Sequence, residues 1–327
     1  MTAPHARPDA SSLLTAVRSR DPLAIARAIT AIENRTSTGN ELAVAVRGQV
    51  NGCRTLGVTG PPGAGKSSLI NALVQEMLPH YPRTAILTVD PSSPISGGAV
   101  LGDRVRMAEH SANPNVFIRS LATRGHLGGV TRMTRSVMDL LAAGGMDLVI
   151  VETVGTGQSE VEVAELTNVK IVVNAPGLGD EMQAIKAGVL EIADILVVNK
   201  SDLPDAARTA AHLNAMLHHR GHDEHRSVVC VSTVTRDGLK ALADAIEIKF
   251  AQLAADSTLA VPRTASARLL LARAVADRAE DMIARTVDPR IDVLVEDIAA
   301  GLLSRQDGAR TAIGLLGELR PVSNARD

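Results

Sequence analysis

The 327-residue sequence predicts an α/β protein with a doubly wound, mostly parallel sheet and a helical arm at each end of the chain. Three observations carry this prediction. Short β-branched runs alternate with helical stretches between about residues 53 and 250. Most of these runs are continuously apolar, as expected of parallel strands that helices cover on both faces. Outside this region the apolar residues recur only at helical spacing.

The candidate strands are seven short apolar runs, and each is followed by a turn or a helical stretch. They are Thr55–Thr59, Thr84–Val89, Val116–Arg119, Leu148–Glu152, Val169–Asn174, Ile195–Asn199 and Val228–Ser232. This alternation predicts βαβ units. It also divides the chain into an N-terminal helical arm over 1–52, a central α/β domain over 53–255 and a C-terminal helical arm over 256–327.

Both arms carry recognisable helix starts. Asp21 followed by Pro22 supplies an N-cap acceptor and a proline at the first helical position, and Asp288-Pro289 repeats the pattern in the tail. Isoleucines at 25, 29 and 32 fall on one face and predict an arm that packs on the core. The tail predicts helices over 265–286, from 289 and over 307–319, and periodicity does not tell whether their apolar faces meet their own core or a second copy of the chain.

Composition excludes several classes of protein. A formal net charge of −2 and an aromatic content of 1% argue against a nucleic-acid binder, which needs basic and stacking surfaces. Cys53 and Cys230 are isolated, so we expect neither a disulfide framework nor a cysteine metal site. The polar N-terminus and the absence of a long apolar run predict no membrane span and a cytoplasmic protein.

The stretch GPPGAGKSS matches the phosphate-loop pattern GxxxxGK[ST] between a predicted strand and a predicted helix. Its glycines let backbone N–H groups approach phosphates, and the following helix adds its positive end. Lys66 is expected to reach the β- and γ-phosphates, and the Ser67 hydroxyl to bind Mg²⁺. The pattern therefore predicts a P-loop NTPase, with a nucleotide contacted by Gly60, Pro61, Pro62, Gly63, Ala64, Gly65, Lys66, Ser67 and Ser68.

A second motif selects the base. Asn199-Lys200-Ser201-Asp202 ends a predicted strand and matches NKxD. A carboxylate at Asp202 accepts hydrogen bonds from N1–H and the 2-amino group of guanine, whereas adenine would leave it facing a lone pair. We expect Lys200 to cover the base and Asn199 to join the two loops. Further along, Ser232, Thr233 and Val234 are expected to contact the guanine oxygen, so the nucleotide is GTP or GDP.

An NTPase of this kind also needs acidic groups at strand ends to hold Mg²⁺. Glu152 is the first candidate, in the pattern ExxG where DxxG is usual, and Asp90 and Asp103 are two more. Thr156 stands directly after the switch glycine, Gly155, where such enzymes carry a glutamine that orients water. The sequence therefore predicts slow hydrolysis that a partner accelerates.

Six stretches of the chain together resemble one family. They are GPPGAGKSS (60–68), VDPSSPISGGAVLGDRVRM (89–107), TRGHLGGVTR (123–132), ETVGTGQSEVEVAE (152–165), GDEMQAIKAG (179–188) and ADILVVNKSD (193–202). The chain resembles the MeaB and methylmalonic aciduria type A family, whose older label is ArgK or LAO/AO transport system kinase. The resemblance covers nearly the whole chain, and loosens after NKxD and through His225.

The resemblance implies a GTPase chaperone for an adenosylcobalamin-dependent acyl-CoA mutase, such as methylmalonyl-CoA mutase, with the mutase's adenosyltransferase as a further partner. It implies that Asp90, Asp103 and Glu152 belong to the Mg²⁺ and switch machinery. It also implies an additional switch around Asp180, Glu181, Gln183 and Lys186, in which Lys186 reaches the nucleotide. Finally, it implies a homodimer formed by the C-terminal helices.

Three other functions remain open at this level. A metal-insertion GTPase would use a metal site, for which His218 and His222 at i, i+4 are candidates, although Gly221 interrupts the helix between them. A kinase acting on a transport-system protein would need a base placed for a protein hydroxyl, and the sequence offers none. A nucleotide-gated binding module would bind GTP without hydrolysing it.

Overall fold

The computed structural model describes residues 9–90, 113–122, 127–153, 166–178, 193–219, 227–255 and 288–318, together with isolated positions between 272 and 283. The chain divides into two compact units, Met1–Leu259 and Ala260–Asp327. The first unit contains both the N-terminal helices and the sheet.

A seven-stranded sheet forms the centre of the first unit. Its strands follow the order β3-β2-β4-β1-β5-β6-β7, and every neighbouring pair is parallel. The strands are β1 Arg54–Thr59, β2 Thr84–Asp90, β3 Val116–Ala122, β4 Leu148–Thr153, β5 Val169–Asn174, β6 Ile195–Val198 and β7 Ser227–Cys230. The predicted fold class is thereby confirmed.

Helices cover both faces of this sheet. The described helices of the first unit are α1 Ala10–Arg18, α2 Pro22–Glu33, α3 Ser37–Ala45, α4 Lys66–Met77, α5 Leu127–Ala143, α6 Ala206–His219 and α7 Leu239–Ala255, with a 3₁₀ turn at Gln49–Gly52. Helices α4 and α7 share one buried cluster with strand residues such as Leu56 and Ile150. On the other face, α1, α2 and α5 pack against residues such as Leu87 and Val151. Burial on both faces explains why the strands are continuously apolar.

The N-terminal arm is a packing element, as its periodicity predicts. Ile25, Ile29 and Ile32 are all buried in the cluster that includes strands β2 and β4. Asp21 caps α2 by accepting a 2.9 Å hydrogen bond from the Leu23 N–H. An N-cap satisfies one of the backbone donors that a helix start leaves without a partner.

Several strand bounds differ from the sequence prediction. Strands β1 and β7 begin one residue earlier, at Arg54 and Ser227, and β2 and β4 end one residue later, at Asp90 and Thr153. Strand β3 continues to Ala122 because its polar residues have partners: Arg119 pairs with Glu33 of α2, and the Ser120 hydroxyl lies 2.8 Å from that of Thr88. Strand β6 ends at Val198, one residue earlier than predicted, and β7 ends at Cys230. The chain leaves β7 early because the Ser232 N–H donates instead to the Asp237 carbonyl in a turn.

The second unit contains helices α8 Pro289–Ala299 and α9 Arg305–Glu318 in its described part. Asp288 caps α8 by accepting from the Arg290 N–H at 2.9 Å, as predicted from the Asp-Pro pair. Ile291 is buried, whereas Val295 and Leu302 are 55% and 79% exposed. Predicted helix 265–286 lies almost entirely outside the described residues. Among the helices that are described, none has both the length and the apolar character to cross a bilayer.

Candidate nucleotide site

The phosphate loop joins β1 to α4 at the carboxyl edge of the sheet, and three of its glycines have positive φ. Gly60, Gly63 and Gly65 have φ values of 142°, 76° and 85°. A Cβ atom on Gly60 would lie 2.1 Å from the Val173 carbonyl oxygen, and one on Gly65 would lie 2.5 Å from Nδ2 of Asn199. Glycine is therefore required at both ends of the loop by conformation and by space. The loop therefore lies close to the end of β5 and to Asn199, the residue after β6.

Lys66 is the first residue of α4 and is 7% exposed. Its Nζ donates to the carbonyl oxygens of Gly60 at 2.8 Å and Pro61 at 3.1 Å. These bonds hold the ammonium group inside the curve of the loop, where backbone N–H groups and the positive end of α4 converge. The first turn of α4 carries no acidic residue that would oppose an anion there. The arrangement suits a polyphosphate.

The predicted magnesium residues Ser67 and Glu152 contact each other directly. The Ser67 hydroxyl donates a 2.7 Å hydrogen bond to Oε1 of Glu152, and both side chains are buried. Glu152 lies near the end of β4, opposite Val58 of β1 and Thr88 of β2. A hydroxyl and a carboxylate are hard oxygen donors of the kind that Mg²⁺ prefers. The residues present therefore fit this cation, beside the place where the phosphates would lie.

The base-selecting loop is fastened to the phosphate loop by two side chains. Nδ2 of Asn199 donates to the Ala64 carbonyl at 2.9 Å, and Nζ of Lys200 donates to the Gly63 carbonyl at 2.8 Å. Lys200 adopts a positive φ of 56°, which is uncommon for a residue with a side chain. This strained backbone turns the chain from β6 toward the phosphate loop. The two motifs therefore form one site.

Asp202 is held by the loop that follows β7. The Ser232 hydroxyl donates to Oδ1 of Asp202 at 2.6 Å, and the Ser201 N–H donates to the Val231 carbonyl at 3.0 Å. Ser232 is fully buried, whereas Asp202 is exposed. One carboxylate oxygen is thereby fixed by the protein, and the group remains accessible to a ligand. Thr233 is half-buried, and Val234 is 81% exposed at the rim of this loop.

The side chains of the remaining predicted site residues make none of the contacts above or are described only in part. In the phosphate loop, Pro61 and Ala64 are buried, and Pro62 and Ser68 are exposed. Asp90 is the last residue of β2, beside β4, and only its backbone is described. Asp103, Lys186 and the switch residues around them lie outside the described residues, as do the side chains of the His218–His225 cluster. Within the described part of the chain, no three metal-ligating side chains form a cluster.

Three polar residues at the ends of strands near the phosphate loop were not predicted from the sequence as part of the site. Thr59, Thr153 and Asn174 end β1, β4 and β5, and all three are at least 97% buried. The available signal was a polar residue at the end of an apolar run. The glycines and acids beside these residues form stronger motifs.

Comparison with known proteins adds independent findings. The sequence model of the family described as "Methylmalonyl Co-A mutase-associated GTPase MeaB" matches residues 25–288. A protein of Pyrococcus abyssi that is named as a GTPase is 44% identical over 205 residues, 63% of each chain. The present chain thus spans less than two thirds of that relative. A protein of Mycobacterium bovis that is named as a GTPase is 40% identical over 257 residues, 76% of each chain.

A solved structure supports the same fold. The crystal structure of an LAO/AO transport system kinase matches with a TM-score of 0.69 and 26% sequence identity. The match covers 94% of this chain and 97% of that chain. Fold and sequence therefore point to one group of proteins.

Proposed function

The chain belongs to the MeaB family of GTPases, and on that premise we propose that it binds and hydrolyses GTP to gate adenosylcobalamin delivery to an acyl-CoA mutase. The proposed client is an acyl-CoA mutase such as methylmalonyl-CoA mutase, and protection of that enzyme is part of the proposed role. One observation supports GTP as the nucleotide. Asn199 joins the base-selecting loop to the phosphate loop, and Ser232 holds Asp202 of the same base-selecting loop. Family membership carries the mutase part.

Guanine selectivity follows from the chemistry of Asp202. Its Oδ1 already accepts a hydrogen bond from the Ser232 hydroxyl, so the orientation of the carboxylate is fixed before a base binds. Guanine offers two donors, N1–H and the 2-amino group, to such a carboxylate. Adenine offers a lone pair at N1 and no amino group, so its binding would leave the carboxylate desolvated and unpaired.

The phosphates of GTP would bind the phosphate loop and Lys66. Ser67 and Glu152 would hold Mg²⁺, which neutralises the charge that develops on the phosphates during transfer. Burial of Glu152 lowers the local dielectric response and strengthens its interaction with a cation. Lys66, held at the loop by two carbonyl oxygens, needs only a small movement of its ammonium group to contact a phosphate.

We propose that hydrolysis is slow in the isolated protein. The residue after Gly155 is a threonine, so the usual water-orienting glutamine is missing from that position of the sequence. A partner that supplies or orders a catalytic group would then accelerate the reaction, as activating proteins do for related enzymes. In this proposal the mutase, with its adenosyltransferase, is that partner.

The proposed assembly is a homodimer formed by the C-terminal helices. In the described part of this unit, α8 and α9 carry apolar side chains that are more than half exposed on each helix, such as Val293, Val295 and Ile313. A contiguous apolar patch built from such side chains would be typical of a surface that a partner covers. Sedimentation analysis of the full chain, compared with a Val295→Lys variant, tests this part of the proposal.

The decisive experiment measures GTP hydrolysis by the purified chain alone and with each candidate acyl-CoA mutase. We expect low turnover alone and stimulation by one mutase, with that pair co-eluting in a manner that a GTP analogue changes. High turnover alone would contradict partner control. Transfer of phosphate to a protein would favour a kinase, and hydrolysis absent with every mutase would favour a binding module.

A further inference from the structure

Three polar side chains lie at the carboxyl ends of three adjacent strands. Thr59 ends β1, Thr153 ends β4 and Asn174 ends β5, and these strands are neighbours in the sheet. Their exposed fractions are 2%, 3% and 1%. Among the residues that the structure describes, both hydroxyls and both polar atoms of the Asn174 carboxamide have no hydrogen-bond partner. We call these three residues the strand-end cluster.

The strand-end cluster lies on one face of the sheet. Alternate strand residues point to opposite faces, and Val58 of β1 and Val173 of β5 pack in the cluster that contains α4. Thr59 and Asn174, one residue further along each strand, therefore point to the other face. Thr153 follows Glu152, whose side chain meets Ser67 of α4. The strand-end cluster is thus separated by the sheet from the proposed magnesium residues.

The register brings the three residues together. Val58 lies opposite Glu152, so Thr59 and Thr153 form the next cross-strand pair, and their Cα atoms are about 5 Å apart. Thr59 lies opposite Val172 of β5, so Asn174 is two residues further along that strand, a diagonal separation of about 7–8 Å. None of the three side chains hydrogen-bonds directly to another in the structure. The separations are short enough for one or two water molecules to bridge them.

Burial without partners is costly for such groups. A buried hydroxyl or amide that gives up water without a replacement loses its hydrogen-bonding free energy, and native proteins rarely leave adjacent groups in that condition. Internal water typically makes about three hydrogen bonds to polar groups of this kind. Two hydroxyls and one carboxamide supply both donors and acceptors for that number.

We propose that the strand-end cluster binds ordered internal water, and that this water joins the strand ends that carry the nucleotide-binding elements. Thr59 precedes Gly60 of the phosphate loop, and Thr153 follows Glu152. The Asn174 carbonyl accepts a 2.8 Å hydrogen bond from the Asn199 N–H, at the start of the base loop. The strand-end cluster positions these elements from the face of the sheet opposite α4 and does not contact the nucleotide. Its effect on nucleotide affinity rests on the proposed function, whereas the water site itself does not.

The first test is direct. A high-resolution crystal structure of the wild-type chain should show water within hydrogen-bond distance of the Thr59 and Thr153 hydroxyls and the Asn174 carboxamide. Long-lived water in solution should give magnetisation transfer to the neighbouring amide protons. A dry cluster in the crystal, with no such transfer, overturns the proposal.

The second test uses Thr59→Val, Thr153→Val and the double variant, which remove the hydroxyls and keep the side-chain shape. If the hydroxyls share water, each single change should lower the apparent melting temperature by about 2–4 °C. The double change should cost less than the sum, because either change alone releases the water. Unpartnered hydroxyls predict the opposite sign, with both variants more stable than wild type. Either that result or additive losses overturn the proposal.

Thr209→Val is the matched control, because the Thr209 hydroxyl donates to the Asp205 carbonyl within the first turn of α6. It should leave both the melting temperature and GDP affinity nearly unchanged. Thr59→Val and Thr153→Val should each weaken GDP binding by about 3- to 10-fold, because each removes about one hydrogen bond that holds a strand end in place. Wild-type affinity in destabilised variants would overturn the positioning role. A wild-type chain that binds no GDP would refute the proposed function and leave the water and stability tests intact.

Discussion

The Ser67 hydroxyl and the Glu152 carboxylate are 85 residues apart in the chain and 2.7 Å apart in the fold. Ser67 lies in the first turn of α4, and Glu152 lies near the end of β4, the strand beside β1. The parallel order of β4 and β1 places both residues at the same edge of the sheet. The contact joins the phosphate loop to the strand that leads into the ExxG motif.

Neutralising this carboxylate should impair hydrolysis more than folding. In Glu152→Gln the side chain keeps its shape and its oxygen still accepts a hydrogen bond from the Ser67 hydroxyl, but it loses the charge that attracts Mg²⁺. We expect GTP hydrolysis to fall on the order of 100-fold and to need more Mg²⁺. The measurement is steady-state hydrolysis over a Mg²⁺ titration. Glu41→Gln, at an exposed position of α3, is the control, and a Glu152→Gln rate near wild type would refute the assignment.

Changing Asp202 to asparagine should change the preferred base. An amide at this position offers a donor to the 2-oxygen of xanthine, where guanine carries an amino group. We expect Asp202→Asn to weaken GDP binding on the order of 100-fold and to strengthen binding of xanthosine diphosphate. Fluorescent nucleotide competition measures both. Asp205→Asn, three residues further on and exposed, should have no effect, and equal GDP affinity in both variants would contradict this role.

Two glycines of the phosphate loop form a natural comparison. Both have positive φ, but a Cβ on Gly63 meets nothing within 4 Å, whereas one on Gly65 lies 2.5 Å from Asn199 Nδ2. Gly63→Ala should cost about 1–2 kcal/mol in the free energy of unfolding, from backbone strain alone. Gly65→Ala should cost about 1 kcal/mol more, because Asn199 must leave the Ala64 carbonyl. Urea unfolding of the nucleotide-free protein tests the difference, and equal losses would contradict it.

The two cysteines should differ sharply in reactivity. Cys53 is buried, and burial raises the pKa of its thiol from 9.0 to about 12, whereas Cys230 is exposed. Only a thiolate reacts readily with alkylating reagents. The native chain should therefore label at one cysteine at pH 8 and at two after denaturation. Cys230→Ser should abolish native labelling, and rapid labelling of that variant would show that Cys53 is accessible.

Stability should fall as pH rises above about 9. Burial, followed by the hydrogen bond to Glu247, raises the pKa of Tyr81 from 10.0 to about 12, so the unfolded chain loses this proton first. A group that is protonated longer in the folded state loses its contribution as pH rises from the unfolded pKa to the folded one. Tyr81→Phe should make this decline in the urea midpoint smaller between pH 10 and 12, and the part that remains is expected from the Cys53 thiol, whose pKa is raised from 9.0 to about 12. Because Tyr81 is the only tyrosine, its absorbance titration reports the folded pKa directly.

Much of the candidate site could be predicted from the sequence because its motifs are local. The phosphate loop spans nine consecutive residues, and its glycines meet a backbone requirement that composition alone reveals. The Asp21 and Asp288 caps were equally local, since an N-cap acts on residues two or three positions ahead. Strand ends were less predictable. Strand β3 runs past Arg119, where Glu33 of a helix far away in the chain pairs with that residue and Thr88 of β2 pairs with Ser120.

The α/β class could be predicted from the alternation of apolar runs and helical stretches, and the two nucleotide motifs and the family from short patterns of consecutive residues. Which strand ends meet is visible only in the folded chain. The order β4-β1-β5-β6 brings Glu152 to Ser67, and Asn199 to Ala64 across 135 positions. It also places Thr59, Thr153 and Asn174 together on the opposite face. Contacts of this kind depend on sheet order and register, which local periodicity does not encode.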